Sequence, residues 1–204
     1  MITALLLAAG AAHRFGAPKL LQDLDGMPVV RWSAEWLRGA PVDQILVVVP
    51  TNADEIRRAL EGLDVRFVVN AHANFGMGAS IACGVSAVQP HVDAVVVALA
   101  DEPLVGRAPL VRVVERYTNV GAAIVAPTYR GVRGHPVLFD RSTFEELRAL
   151  TGDRGARAVV DRDPQRVAFL ELDQAKPIDV DRPEDLARLV RQRQYISPST
   201  SQRS

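Results

Sequence analysis

The chain has 204 residues, of which 48% are hydrophobic, so it is long enough to form one domain with a sizeable core. Its 24 basic residues balance 24 acidic ones, which excludes a general electrostatic attraction to nucleic acid or to an anionic membrane surface. The single cysteine, Cys83, excludes an intramolecular disulfide and a cysteine-based metal cage. No stretch approaches the roughly 20 apolar residues that cross a bilayer. We therefore expect a soluble, cytoplasmic protein.

Short β-branched runs alternate with helix-like stretches as far as Pro127. The runs are continuously apolar, which is typical of strands that helices cover on both faces. The stretches between them have apolar residues three and four positions apart, and several begin after a proline or a capping residue. The predicted strands are residues 2–7, 44–49, 65–69, 93–100 and 122–127, and the predicted helices are residues 29–40, 52–63, 79–88 and 108–119. This order predicts an α/β fold with three α/β/α layers and a mostly parallel, doubly wound sheet.

The pattern changes after Pro127, where glycines recur every few residues before a strand-like run at 136–139. Residues 142–163 predict two short helices around a glycine loop, and a strand at 167–172 and a helix at 182–193 follow. We interpret this part as an insertion that returns to the same sheet. The predicted domain is therefore residues 1–193, with a disordered tail at residues 194–204.

The first strand breaks at Gly10 and continues into a basic loop. In an open α/β sheet, ligands bind beyond the carboxyl ends of the strands, where this loop begins. Gly10 and Gly16 allow backbone amides to converge on an anion, and Arg14 and Lys19 add positive charge. The spacing fits neither a Walker loop nor a dinucleotide fingerprint. From these residues alone, an ordinary solvated basic loop is an equally good interpretation.

The loop resembles the signature of the nucleotidyltransferases of the glycosyltransferase-A-like fold. It is most similar to that of the molybdenum cofactor cytidylyltransferase family, L-A-A-G-x-x-x-R-[MF]-G-x-x-K. The matching residues are Leu7, Ala8, Ala9, Gly10, Arg14, Phe15, Gly16 and Lys19. The resemblance implies a nucleotide-diphospho-sugar transferase-like fold. It also implies that the residues of this loop that bind the nucleoside triphosphate are Leu7, Ala8, Ala9, Gly10, Arg14, Gly16 and Lys19. Ala9 favours CTP, because the related guanylyltransferases typically have glycine there; GTP stays open.

Residues 74–85 resemble the second motif of the family, G-[ML]-[GS]-x-S-[IL]-x-x-G. The resemblance implies that Gly78 and Ser80 bind the nucleotide, with Ser80 donating to the base. The alternative is that Ser80 only caps its helix.

Two carboxylates are the candidate metal ligands. Asp101 follows an apolar strand, where Mg²⁺ bound to a triphosphate would satisfy its charge, although it could instead cap a helix. It belongs to an A-D-x-P motif that usually has methionine in the variable place, and here that place is occupied by Glu102. Residues 177–186 resemble the D-[IV]-D-T-P-E-D motif, which implies that Asp179 is the second Mg²⁺ ligand and that Asp181 caps the last helix.

Two further motifs point to the acceptor. Residues 133–140 resemble the G-H-P form of the family's G-x-P motif, and residues 151–157 resemble G-D-x-G-[AL]-R. The resemblance implies that the acceptor-binding residues are Gly134, His135, Pro136 and Arg157.

Together the motifs imply that CMP is transferred from CTP to the phosphate of a molybdopterin-type acceptor, with release of pyrophosphate. Arg14, Lys19 and Asp101 would be the catalytic residues, Mg²⁺ the cofactor and a molybdenum hydroxylase a partner. Guanylyl transfer, or transfer to another phosphorylated small molecule, stays open. Two alternatives are a non-catalytic cofactor chaperone or nucleotide sensor, and a serine hydrolase using Ser80, Asp101 and His135.

Overall fold

The computed structural model describes residues 1–10 and 18–196, and the side chains of these residues as far as Arg191. Within this part of the chain, the strands are β1 (Ile2–Leu7), β2 (Asp23–Leu24), β3 (Met27–Pro28), β4 (Gln44–Val49), β5 (Arg66–Val69), β6 (Ala94–Leu99), β7 (Ile124–Tyr129), β8 (Val132–Arg133), β9 (Val137–Asp140) and β10 (Val167–Leu172). The helices are α1 (Val29–Arg38), α2 (Asp54–Ala59), α3 (Met77–Ser86), α4 (Arg107–Val120), α5 (Phe144–Arg148), α6 (Arg157–Arg162) and α7 (Pro183–Ile196). Among the described residues, no helix is long and apolar enough to cross a membrane.

One large sheet organises the domain, with the strand order β10–β7–β9–β6–β1–β4–β5 and β8 paired with β7. β1 is parallel to β4 and β6, β4 is parallel to β5, and β10 is parallel to β7. β9 is antiparallel to both β6 and β7 and so joins the two parallel halves. The segment after Pro127 therefore returns to the same sheet, as the sequence predicts.

Helices cover both faces of this sheet. Along β1, Ala4 and Leu6 point into one core with residues of α1, α2, α4 and α7, whereas Leu5 and Leu7 point into a second core with residues of α3, α5 and α6. A fully buried leucine or valine contributes roughly 1.5–3 kcal/mol, so both faces of the apolar strands stabilise the fold. The predicted three-layer α/β/α architecture is confirmed.

Some boundaries differ from those predicted. Helix α3 begins at Met77, two residues early, because Gly76 adopts a φ of +92° and breaks the preceding backbone. Helix α7 continues to Ile196, past the predicted domain end at 193, since its first helix breaker, Pro198, comes later in the sequence. Residues 197–204 of the predicted tail lie outside the described residues.

Candidate active site

The site lies at the carboxyl edge of the parallel strands, where the chain leaves β1 and β6. The amide of Ala8 donates to the carbonyl oxygen of Val48 at 2.8 Å, and the amide of Ala100 donates to the carbonyl oxygen of Leu7 at 3.1 Å. These bonds, together with the burial of Leu7, Ala8 and Ala9, fix the start of the loop, while Gly10 is exposed. Since the sheet uses the Ala8 amide, an anion here would be bound by amides from Ala9 onward. Arg14 and Gly16 lie outside the described residues.

Lys19 joins two distant acidic segments. Its Nζ donates to Asp101 Oδ2 at 2.6 Å and to Asp181 Oδ1 at 2.9 Å. The backbone reinforces this arrangement, because the amide of Val180 donates to the carbonyl oxygen of Asp101 at 2.8 Å. Burial lowers the pKa of Lys19, but the two carboxylates outweigh it and raise the pKa overall. The ammonium group therefore stays charged beside Asp101.

Asp101 is not a helix cap, since α4 is capped at Gly106. At the start of α7, the carboxylate of Asp185 accepts from the amides of Asp181 and Arg182 at 3.1 and 2.8 Å. The carboxylate predicted to cap this helix, that of Asp181, accepts from Lys19. The structure thus brings Lys19, Asp101 and Asp181 together.

Asp179, the other candidate metal ligand, pairs with a lysine that sequence reasoning missed. Lys176 Nζ lies 2.7 and 3.0 Å from the two carboxylate oxygens of Asp179. It also lies 3.5 Å from Glu102 Oε1. Burial lowers the pKa of Lys176, but Asp179 and Glu102 raise it above the ordinary value. One signal could have drawn attention to this residue: the chain has only two lysines, Lys19 and Lys176.

Glu102 connects this pair to His135. The Glu102 side chain is 2% exposed, and its Oε1 lies 3.3 Å from His135 Nδ1. Burial raises the pKa of Glu102, His135 opposes that shift, and the Asp179 carboxylate raises it further, so that the pKa is raised overall. The hydroxyl of Tyr129 donates to the carbonyl oxygen of His135 at 2.5 Å. These contacts hold His135 in place at the edge of the site.

The arrangement has the donors for a divalent cation but not a complete cage. Carboxylate oxygens are the ligands that Mg²⁺ and similar hard cations prefer. Over the described residues, no three His, Cys, Asp or Glu side chains converge to hold a metal. A cation on Asp101 and Asp179 would therefore need further ligands to complete its coordination.

The second predicted motif is built around close packing at the start of α3. A Cβ at Gly78 would lie 2.7 Å from the carbonyl oxygen of Thr151, so only glycine lets the two segments approach. Ser80 lies within the helix, whose N-cap is Gly76, so it is not the cap. Its Oγ accepts from Asn70 Nδ2 at 3.1 Å, and both side chains are buried. Sequence reasoning missed Asn70, and the predicted nucleotide contacts of Gly78 and Ser80 stay predictions.

The contacts of Ser80 and His135 bear on the hydrolase alternative. A serine hydrolase needs a chain of hydrogen bonds from serine to histidine to a carboxylate. Here Ser80 pairs with Asn70, His135 with Glu102 and Asp101 with Lys19. The structure does not support a catalytic triad.

A cavity of about 630 Å³ lies beside His135 and contains three of the four predicted acceptor-binding residues, Gly134, His135 and Arg157. Pro136, which follows His135 through a cis peptide bond, is outside the lining of that cavity. The apolar side chains in the lining are Met77, Ile81, Val97, Ala126, Val137, Ala156 and Val160. Among the charged lining residues, Asp161 pairs with Arg133 at 2.5 Å and with Arg154 at 3.4 Å. The cavity therefore combines an apolar lining with charged groups, among them Arg157.

Comparison with known proteins identifies the family. Residues 4–167 match the MobA-like NTP transferase domain. The chain belongs to this family. It is 29% identical over 197 residues to nicotine blue oxidoreductase of Paenarthrobacter nicotinovorans. The alignment covers 93% of this chain and 96% of that protein.

Two solved structures are similar to this MobA-like chain. One is the Mycobacterium sp. strain JC1 homologue of Mycobacterium tuberculosis Rv0371c, with 26% identity, a TM-score of 0.85 and coverage of 96% of this chain and 98% of that one. The other is Rv0371c of M. tuberculosis H37Rv in complex with manganese, with 30% identity, a TM-score of 0.80 and coverage of 93% and 98%. The chain is thus a nucleotidyltransferase of the MobA-like family, which confirms the predicted fold and family resemblance.

Proposed function

We propose that this enzyme transfers CMP from CTP to the phosphate group of molybdopterin, with or without molybdenum, and releases pyrophosphate. The observation that carries the proposal is the pairing of Lys19 with Asp101, beside the segment that contains Asp179. Lys19 pairs directly with Asp101, and a backbone bond between Asp101 and Val180 holds the Asp179 segment beside it. A cation for phosphate and two carboxylates for a metal are the parts that nucleotidyl transfer needs.

Asp101 and Asp179 would hold Mg²⁺, which supplies charge neutralisation at the α-phosphate when it is bound. The similarity to Rv0371c, which has been solved in complex with manganese, supports the use of a divalent cation. Lys19 would move from Asp101 to the triphosphate, where Arg14 and the amides from Ala9 onward also bind. These groups would stabilise the negative charge that develops on the leaving pyrophosphate.

The acceptor would lie in the cavity beside His135, with Gly134 and Arg157 in its wall. Its phosphate is already ionised at neutral pH, so that it can attack the α-phosphorus of CTP without a general base. The enzyme's contribution is then to position the two phosphates and to neutralise their charge. The preference for CTP rests on Ala9 and on the family resemblance. Delivery of the product to a molybdenum hydroxylase belongs to the same proposal.

A direct test is to incubate the protein with Mg²⁺, molybdopterin and each of the four nucleoside triphosphates, and to measure pyrophosphate release. We expect release with CTP, only when the acceptor and the metal are both present. Turnover with GTP instead would contradict the base assignment. Turnover only with a different phosphorylated small molecule would contradict the acceptor.

One observation favours a second candidate. The similarity to nicotine blue oxidoreductase extends over nearly the whole of both chains. The second candidate function is therefore the reduction of nicotine blue. Loss of the colour of nicotine blue in the presence of NADH or NADPH would reveal this activity. We expect no bleaching, because the chain lacks the glycine spacing of a dinucleotide fingerprint.

A further inference from the structure

Lysine is used at only two positions of this chain. Of the 24 basic residues, 22 are arginines and two are lysines, Lys19 and Lys176. Each lysine pairs with one of the two candidate metal ligands, Lys19 with Asp101 and Lys176 with Asp179. An ammonium group is a compact charge on a flexible stem, whereas a guanidinium group is a planar fork suited to a fixed partner. The two positions therefore have the cation best able to exchange one anionic partner for another.

Lys176 occupies both oxygens of Asp179, at 2.7 and 3.0 Å. A divalent cation that binds Asp179 needs at least one of these oxygens and repels the ammonium group. Metal binding at Asp179 thus has to displace Lys176 at least in part. The lysine acts as an internal counter-ion that holds the carboxylate when no metal is bound.

A displaced Lys176 stays beside the acceptor cavity. Glu102, 3.5 Å from Lys176 Nζ, is 2% exposed and also contacts His135, which lines the cavity. Lys176 Cε is close to the backbone of Gly134, another lining residue, since a Cβ there would lie 3.7 Å from it. The ammonium group therefore lies between Asp179 and the cavity, with Glu102 as a fixed anchor.

We propose that Lys176 binds the anionic group of the acceptor, and that a divalent cation on Asp179 releases it for that contact. The inference rests on the proposed function for the metal and the acceptor. Glu102 is then a positioning residue that keeps the released ammonium group next to the cavity. This role accounts for a buried glutamate in the variable place of the A-D-x-P motif.

Because the chain has two lysines, NMR can follow Lys176 directly in the full chain. Protein labelled with ¹³C-lysine should give two Cε signals, which Lys19→Met and Lys176→Met variants assign. We expect Mg²⁺ to shift the Lys176 signal, and inorganic phosphate added to the Mg²⁺-loaded protein to shift it again. The Asp179→Asn variant should lose the Mg²⁺ response. A Lys176 signal that neither addition moves would overturn the proposal.

Affinity gives an independent readout. Lys176→Met removes the competitor for Asp179, so Mn²⁺ should bind about tenfold more tightly, as measured by electron paramagnetic resonance of free Mn²⁺. In the transfer assay, the same variant should raise the KM for the acceptor by about 10- to 100-fold and leave the KM for CTP within about twofold. Lys19→Met is the matched control and should raise the KM for CTP instead. Unchanged or weaker Mn²⁺ binding by Lys176→Met would contradict the proposal.

Different results would contradict the role of Lys176 and the proposed function. A wild-type protein in which Mg²⁺ and phosphate move Lys176, but which releases no pyrophosphate from CTP, would support the role of Lys176 and contradict the proposed function. Turnover with CTP in a protein whose Lys176 signal does not respond would contradict the role of Lys176 alone. The responses are measured in the wild-type chain, and one folded lysine variant is enough to assign both signals, so the NMR experiment remains decisive if the other variant folds poorly.

Discussion

Replacing Asp101 by asparagine separates its proposed chemical role from its structural one. The substitution keeps the shape of the side chain and removes its negative charge. The backbone bond from Val180 to the Asp101 carbonyl oxygen does not involve the side chain and should persist. Lys19 also keeps a charged partner, since Asp181 lies 2.9 Å from its Nζ.

The expected effects on stability and on activity differ greatly. The lost ion pair is partly solvated, with side chains that are 12% and 23% exposed, so the free energy of unfolding should fall by only about 1 kcal/mol. Turnover should fall by about 10²–10³, the usual cost of removing one group that stabilises charge in the transition state. The measurements are urea unfolding and pyrophosphate release with CTP, Mg²⁺ and molybdopterin.

Asp181→Asn is the matched control. It makes the same chemical change on the other carboxylate that Lys19 contacts, whose side chain is 52% exposed and is not a candidate metal ligand. We expect its turnover to fall by less than about tenfold. Equal losses in the two variants would refute the metal role of Asp101, because they would show that pairing with Lys19 is all that matters. Near-normal, metal-dependent activity of Asp101→Asn would refute it as well.

Three further predictions concern packing, the cavity and pH. Gly78→Ala should lower the free energy of unfolding by about 1–3 kcal/mol, because its Cβ would meet the backbone of Thr151 at 2.7 Å. Gly84→Ala is the control, since the nearest neighbours of its Cβ would be side-chain atoms at 3.0 and 3.2 Å, and urea unfolding should show a smaller loss of stability. Equal losses of stability in the two variants would contradict this explanation. Gly134→Ala should raise the KM for the acceptor but not for CTP, because Gly134 lines the cavity and its new Cβ would lie 2.7 Å from the Tyr129 ring, so that the cavity wall has to shift. Steady-state kinetics showing the reverse would place the acceptor elsewhere. Burial raises the pKa of Asp140, but hydrogen bonds from Tyr117 and Ser142 outweigh this effect and lower the pKa overall. The ionised carboxylate therefore stabilises the fold at neutral pH, and this stabilisation is lost as the pH falls through the lowered pKa. The stability difference between wild type and Asp140→Asn should therefore shrink in acid, and a constant difference would count against the reasoning.

The layered fold could be predicted because its signal is local. Continuous apolar runs such as residues 44–49 are typical of strands covered on both faces, and the structure buries five of those six residues. The boundary at α3 could not be predicted as closely. Its start depends on the positive φ of Gly76 and on the approach of Gly78 to Thr151, and neither follows from periodicity.

The candidate site was predicted only in part. Motif positions predicted the importance of Lys19 and Asp101, yet the bond between their side chains joins residues 82 positions apart. Lys176, Glu102 and Asn70 were not predicted as partners, because their contacts depend on how distant loops meet at the edge of the sheet. Glu102 stood out only as a departure from a motif, and its burial between His135 and Lys176 became visible in three dimensions.

The most direct test of nucleotidyl transfer follows the phosphorus atoms. Wild-type protein with Mg²⁺ and molybdopterin is given CTP labelled with ³²P at either the α- or the γ-phosphate, and the products are separated. We expect the α-label to appear in the organic product and the γ-label to appear in pyrophosphate. Transfer of the γ-label to the acceptor, or recovery of both labels in unreacted CTP, would contradict this expectation.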